Sequence, residues 1–319
     1  MRLLTDLLYP IKTYYPVWEP PHITDRYETI NKRGSVRCPI TYDALQKKYD
    51  KLGLKKELIK DISIIPNKSY NVYEYIHEPK NYSYTVMLSA GMNGCEIPGV
   101  IGLFYFMKFM LTSKDPGMTW IRENCKISVI PCICGYSFDC RTYTNANLVN
   151  INRNFNYNGN WYATASNKGS WNYAGTYPES EPETQMLLAW FDKYRNADIY
   201  IDCHTDVTRI GNKPLEKTFD AIASDQDIKD KVLTVQSCIK IYYEKKGLTP
   251  TEPWCIIAEP INYPKQLIAL NKYGIPSIQI EQHAADKGHD GNGKVCSDAD
   301  LRNYIMMIRS YILAAVRND

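Results

Sequence analysis

An α/β fold, in which one sheet is covered on both faces by helices, is what this sequence predicts from residue 41 onward. Short runs of β-branched and aromatic residues alternate with helical stretches of amphipathic spacing. The longest apolar run, Ile97–Leu111, is interrupted by Pro98 and Lys108. Its fifteen residues fall short of the ~20 that span a bilayer, so it is expected to be a buried helix. No internal repeat and no domain boundary is apparent after residue 41.

Residues 1–40 lack periodicity and are rich in proline and aromatics (Tyr14-Tyr15-Pro16-Val17-Trp18-Glu19-Pro20-Pro21), and they are expected to form an arm packed on a body or a neighbour. Thr41 caps a helix to Leu52 with Leu45, Tyr49 and Leu52 on one side, and Gly53 stops it. Ile62–Ile65 and Tyr70–Ile76 alternate as strands about the turn Pro66-Asn67-Lys68, and Tyr84–Ser89 is a third strand. A strand is predicted over 127–134. The polar segment 135–180, dense in Asn, Tyr and Gly, is too long for idle loop and points to function. Ser180-Glu181-Pro182-Glu183 has the form of a capping box and opens a helix to about Tyr194. Asp198–His204 is a strand, and Asp227–Lys246 is a helix ended by Gly247. Ser297-Asp298-Ala299-Asp300 caps a last helix with an apolar stripe of Leu301, Tyr304, Ile305, Ile308, Tyr311 and Ile312.

The net charge is +3, no basic run reaches five residues, and acids are interleaved with bases, so a nucleic-acid surface is not expected. No membrane span is expected either. Residues 1–10 carry too short an apolar stretch for a secretion signal. The ten cysteines show no paired-spacing framework and are expected to be reduced, mostly buried thiols. Cys132 and Cys134 could suggest a metal site, but Val129–Cys134 is expected to be a buried strand.

Five pieces carry chemistry: Gly94-Cys95-Glu96, Arg141, Ile151-Asn152-Arg153-Asn154-Phe155, Asp202-Cys203-His204, and Ile278-Gln279-Ile280-Glu281. Their order and spacing resemble the zinc carboxypeptidases from about Thr41 to the C-terminus. The first helix is similar to that of bacterial and tailed-phage members. The resemblance implies a mixed twisted sheet of about eight strands flanked by helices. It also implies zinc-dependent removal of a C-terminal residue from peptides, with cell-wall peptides among the candidate substrates. By that resemblance Glu96 and His204 ligate Zn²⁺, Glu281 is the general base, and Arg141 stabilises an oxyanion. Asn152 and Arg153 grip a free C-terminal carboxylate, which suits a forked guanidinium, and Tyr263 is a candidate for the substrate-capping tyrosine.

One departure stands out. Asn93 occupies the place of the family's first metal-binding histidine, and Asn150 the place of an aspartate that braces it. An amide oxygen is a poorer zinc ligand than imidazole. Three readings follow. Zinc is held weakly by Glu96, His204, Asn93 and water; His283 or Cys95 substitutes as a donor; or the chain keeps the peptide-end grip without hydrolysis, as a binding or structural module such as a phage tail component. The cytoplasm or a phage particle is the expected location, with residues 1–40 as a contact to a larger assembly. Asp202 shares a strand face with His204 and could accept its other ring N–H, or could be a plain surface carboxylate.

Overall fold

The computed structural model describes residues 17–23, 29–30, 36–37, 40–65, 68–161, 167–205, 220–247, 250, 252–281 and 298–317. A two-residue ladder pairs β1 (Thr29–Ile30) with β2 (Val36–Arg37). The main sheet has eight strands: β3 (Lys55–Ile65), β4 (Lys68–His77), β5 (Tyr84–Ala90), β6 (Cys125–Ile130), β7 (Ile199–His204), β8 (Asp220–Ala223), β9 (Trp254–Ile257) and β10 (Ser277–Glu281). Their spatial order is β3-β4-β6-β5-β7-β10-β8-β9. The sheet is mixed: β6, β5, β7 and β10 run parallel, while β3–β4, β4–β6 and β10–β8 pair antiparallel. Every residue of β7 is buried, as expected of a central strand covered on both faces.

Among the described residues there are eight α-helices: α1 (Tyr42–Asp50), α2 (Ile97–Thr112), α3 (Pro116–Asn124), α4 (Gly135–Cys140), α5 (Pro182–Lys193), α6 (Gln226–Lys245), α7 (Pro264–Tyr273) and α8 (Asp298–Val316). Thr41 Oγ1 accepts from Ala44 N at 3.2 Å and caps α1, which buries Leu45 and Tyr49. Among the described residues of α2, twelve of its sixteen are buried, so the helix reads apolar nearly all round. It packs on α8, whose stripe from Leu301 to Ile312 is buried as its spacing predicts. No helix among the described residues is long and apolar enough to cross a membrane.

Four expectations are corrected. The first main-sheet strand starts at Lys55, not Ile62, because β3 is an edge strand whose lysines face solvent and hide its alternation. Strand β6 stops at Ile130, since Pro131 has no N–H for the ladder. Cys132 and Cys134 lie beyond the strand, yet both are buried. The N-cap of α5 is Glu181 rather than Ser180. Ser180 Oγ donates to Glu181 Oε1 and accepts from Asn154 Nδ2, so it caps nothing. The helix α3 and the four-residue strands β8 and β9 had no expectation attached. Pro66, Asn67 and Ser297 lie outside the described residues. From the proline-rich segment, Trp18 meets Phe109 edge-on at 6.2 Å, and Arg302 Nε donates to Pro20 O.

Candidate active site

Strands β5, β7 and β10 are neighbours and parallel, so their carboxyl ends open at one edge of the sheet. That edge is where open α/β sheets place ligands. After β5 the chain turns through Gly91–Glu96, β7 ends on His204, and β10 ends on Glu281. In the β10–β7 ladder Glu281 stands opposite His204 and Gln279 opposite Asp202. Period-2 alternation puts all four side chains on one face.

The turn after β5 is built from close approaches. Gly91 has φ +68°, a left-handed conformation that glycine adopts without strain. A Cβ on Gly94 would lie 1.9 Å from the Ser137 carbonyl carbon. Gly94 N bonds instead to Thr142 O at 2.9 Å and to Ser137 Oγ at 2.7 Å, which docks the turn against α4. Within the turn, Glu96 N donates to Asn93 O at 3.2 Å.

Glu96 precedes α2 and is buried. Its Oε2 lies 2.8 Å from His204 Nδ1 and accepts from Thr205 N at 3.2 Å. The other ring nitrogen, His204 Nε2, lies 2.9 Å from Asp202 Oδ2. Asp202 is fully buried and also accepts from Ser89 Oγ at 2.6 Å and from the buried Lys265 Nζ. Lys265 Nζ is 3.4 Å from His204 Nε2. Burial opposes charge on His204, but Asp202 and Glu96 on either side push the imidazole up to about 10. Burial likewise opposes ionisation of Asp202; Lys265 and His204 outweigh it and hold the carboxyl far below the usual range.

These donors suit a divalent cation in part. Glu96 and Nδ1 of His204 converge, and the imidazole has a carboxylate behind its far nitrogen, the arrangement that orients metal-binding histidines. A metal would have to displace the proton shared by Nδ1 and Glu96. Among the described residues, no group of three or more His, Cys, Asp or Glu is placed to hold a metal. A third donor therefore has to be an amide, a water or a residue outside the described set.

Asn93 is buried beside this pair in the chain, and its Nδ2 donates to Tyr143 O at 2.8 Å and Asn150 Oδ1 at 3.1 Å. Only its carbonyl oxygen is then left for coordination. Asn150 caps the 3₁₀ turn Ile151–Arg153, its Oδ1 also accepting from Asn152 N at 3.0 Å. Asn152 is buried, with Oδ1 lacking a hydrogen-bond partner among the described residues. Arg153 is half-buried and its Nη1 donates to Asn152 O at 3.3 Å. Arg141 terminates α4 in the left-handed region, φ +58°. Its guanidinium lies over the Phe138 ring and donates to Phe138 O and, at 2.6 Å, to Ile40 O.

Burial, and then the charge of Glu96, drive the Cys95 thiol far up. Tyr263 precedes α7 and packs against Ile222, Ala258 and Leu267. His283 lies outside the described residues. Cys134 Sγ donates to Glu183 Oε1 at 3.5 Å. Sequence reasoning missed Lys265, Gln266 and Gln279. Polar residues at buried positions of an apolar strand and helix were the available signal.

The zinc carboxypeptidase family matches residues 65–245, more than half of the chain, and the chain belongs to that family. Solved structures agree in fold. Thrombin-activatable fibrinolysis inhibitor aligns with TM-score 0.66 at 14% identity, covering 98% of this chain and 81% of that one. The bovine form, in complex with tick carboxypeptidase inhibitor, gives 0.61 at 13%, covering 86% and 95%. Carboxypeptidase A from Helicoverpa armigera gives 0.60 at 12%, covering 88% and 74%. No curated protein matches the sequence.

Proposed function

We propose that this chain is a metallocarboxypeptidase-like hydrolase with an altered zinc site, acting on peptides that end in a free carboxylate, cell-wall peptides among them. The observation that carries this reading is the convergence of Glu96 Oε2 and His204 Nδ1 at 2.8 Å, with Glu281 in register opposite His204. Zinc, when held by Glu96, His204 and the Asn93 carbonyl, supplies Lewis-acid polarisation of the scissile carbonyl and of water. Glu281 accepts the proton of the attacking water. Asn152 and Arg153 bind the terminal carboxylate and set its register. Arg141 meets the developing oxyanion, for which its guanidinium must turn from the Ile40 carbonyl. Tyr263 covers the bound residue. The Asn93–Asn150 hydrogen bond supports Asn93 as the stand-in for a histidine, because the brace and the braced residue are both amides here and still touch.

Zinc content tests this reading. The purified protein should hold less than one zinc per chain, and Asn93→His should raise both occupancy and affinity. Full occupancy in the wild type, unchanged by Asn93→Ala, would remove Asn93 from the metal position.

A second reading is a non-catalytic module that docks peptide ends, such as a phage tail component. It is favoured by the guanidinium of Arg141 donating to two backbone carbonyls, Phe138 O and Ile40 O. Binding of a blocked dipeptide without hydrolysis, even in Asn93→His with added zinc, would establish it.

A further inference from the structure

The first turn of α7 carries a buried ammonium and a buried amide side by side, and neither belongs to the candidate catalytic set. Lys265 and Gln266 are both fully buried. Lys265 Nζ donates to Asp202, and Gln266 Nε2 donates to Gln279 Oε1 at 2.7 Å. Asp202 and Gln279 face each other across the β7–β10 ladder, one rung below His204 and Glu281. Gln279 Nε2 in turn donates to Glu281 Oε1. The site thus has three tiers: His204 and Glu281 at the open edge, Asp202 and Gln279 beneath them, and α7 gripping that lower rung.

A buried lysine is costly unless paired, so this one has a structural reason to be here. Its partner is not a surface carboxylate. It is the carboxylate that lies 2.9 Å from the far nitrogen of the candidate metal-binding imidazole. Asp202 uses three bonds, from Ser89 Oγ, Lys265 Nζ and His204 Nε2. Two of these anchors are not His204, so the carboxylate is pinned independently of the ring it orients.

We propose that Lys265 is a positioning residue: it pins the Asp202 carboxylate so that His204 keeps Nε2–H on Asp202 and presents Nδ1 toward Glu96. This rests on reading His204 as a metal ligand. Lys265 touches no substrate or reacting atom in this scheme and acts only through Asp202.

Two readouts on the full chain test it, neither needing turnover. The first is proton NMR of the imidazole Nε2–H of His204, assigned by its absence in His204→Asn. Hydrogen-bonded to a buried carboxylate, it should exchange slowly in the wild type. The second is zinc affinity by competition with a chromogenic chelator. Lys265→Met should abolish or broaden the proton signal and weaken zinc binding by roughly 10–100-fold. A purely structural anchor would lower the thermal midpoint and leave both readouts of the folded protein intact, which would overturn the proposal. So would tighter zinc binding, the sign expected if Lys265 acted only as a repelling charge. Should Lys265→Met not fold, the double substitution Lys265→Met/Asp202→Asn removes both charges together; it should lose the signal and bind zinc weakly, and wild-type affinity there would refute the assignment. If the wild type binds no zinc but Lys265→Met still loses the proton signal, the positioning role holds and the metal reading fails. Wild-type zinc binding unchanged in Lys265→Met, signal included, gives the reverse.

Discussion

Glu183 makes a pH-dependent stability that can be worked from its surroundings. It lies in the first turn of α5, almost wholly buried, with Oε1 against Cys134 Sγ at 3.5 Å and Oε2 accepting from Asn145 Nδ2 at 3.1 Å. The same amide donates to Glu181 Oε2 at 2.7 Å, so two buried carboxyls share one donor. Burial, reinforced by the charge of Glu181 and opposed by the hydrogen bonds, pushes the Glu183 carboxyl from 4.5 up to about 7. A carboxyl raised on folding keeps its proton in the native state after the unfolded chain has lost it. Its contribution is therefore fully present below pH 4.5, falls as pH rises toward 7, and is flat above. At ~1.4 kcal/mol per pKa unit, the raised carboxyl accounts for about 3 kcal/mol of stability lost between acid and alkaline limits. Glu183→Gln removes the group while keeping an acceptor for Asn145. Urea unfolding of both proteins at pH 5 and pH 8 isolates it, because other titrations cancel in the difference. The variant should gain roughly 2–3 kcal/mol on the wild type between those values. Parallel pH profiles would show that Glu183 is ionised at no cost. Functionally, this pair anchors Asn145 and Asn147, which hold the loop leading to Asn152 and Arg153.

Two further predictions concern the site itself. Glu281→Gln keeps the shape of the side chain and removes the base, so hydrolysis of a blocked dipeptide should fall by at least ~100-fold with peptide binding nearly intact; unchanged turnover per folded molecule would end the general-base role. Arg153→Ala should abolish the preference for a free over an amidated C-terminus, a loss of about 2–3 kcal/mol measured by calorimetry, and a wild type that binds both forms equally would refute the carboxylate grip.

What was legible in the sequence had local causes. Thr41 with its following stripe fixed α1, and the strand ending on His204 announced itself by four apolar or aromatic neighbours around Asp202. The side chains of Glu96, His204 and Asp202, distant or alternating in the sequence, come together in space. What was not legible depended on distant partners. Lys265 meets Asp202 across 63 residues of chain, and a polar residue on an apolar helix face does not by itself name so distant a partner. The capping-box reading of Ser180 failed for a similar reason: Asn154, 26 residues away, claims its hydroxyl. Strands β8 and β9 are four residues each and gain their identity from their neighbours in the sheet, β8 from β10 and β9 from β8.

The polar residues inside the two central strands carry the strongest general argument. A buried polar side chain in an apolar strand costs free energy unless it is hydrogen-bonded. In β7 and β10 Asp202, His204, Ser277, Gln279 and Glu281 interrupt otherwise apolar or aromatic strands, Cys203 aside, and each has a defined partner. Replacing such a network by apolar residues of similar volume is often neutral or stabilising, so stability alone does not account for it. The network is also directional: Lys265 and Gln266 of α7 bond to Asp202 and Gln279 on the lower rung, and these bond in turn to His204 and Glu281 at the strand ends. A core assembled only to be stable would have no cause to aim its polar groups at the carboxyl ends of these strands. Orientation of the imidazole and the carboxylate is what this arrangement supplies, and that is the requirement of a site rather than of a fold.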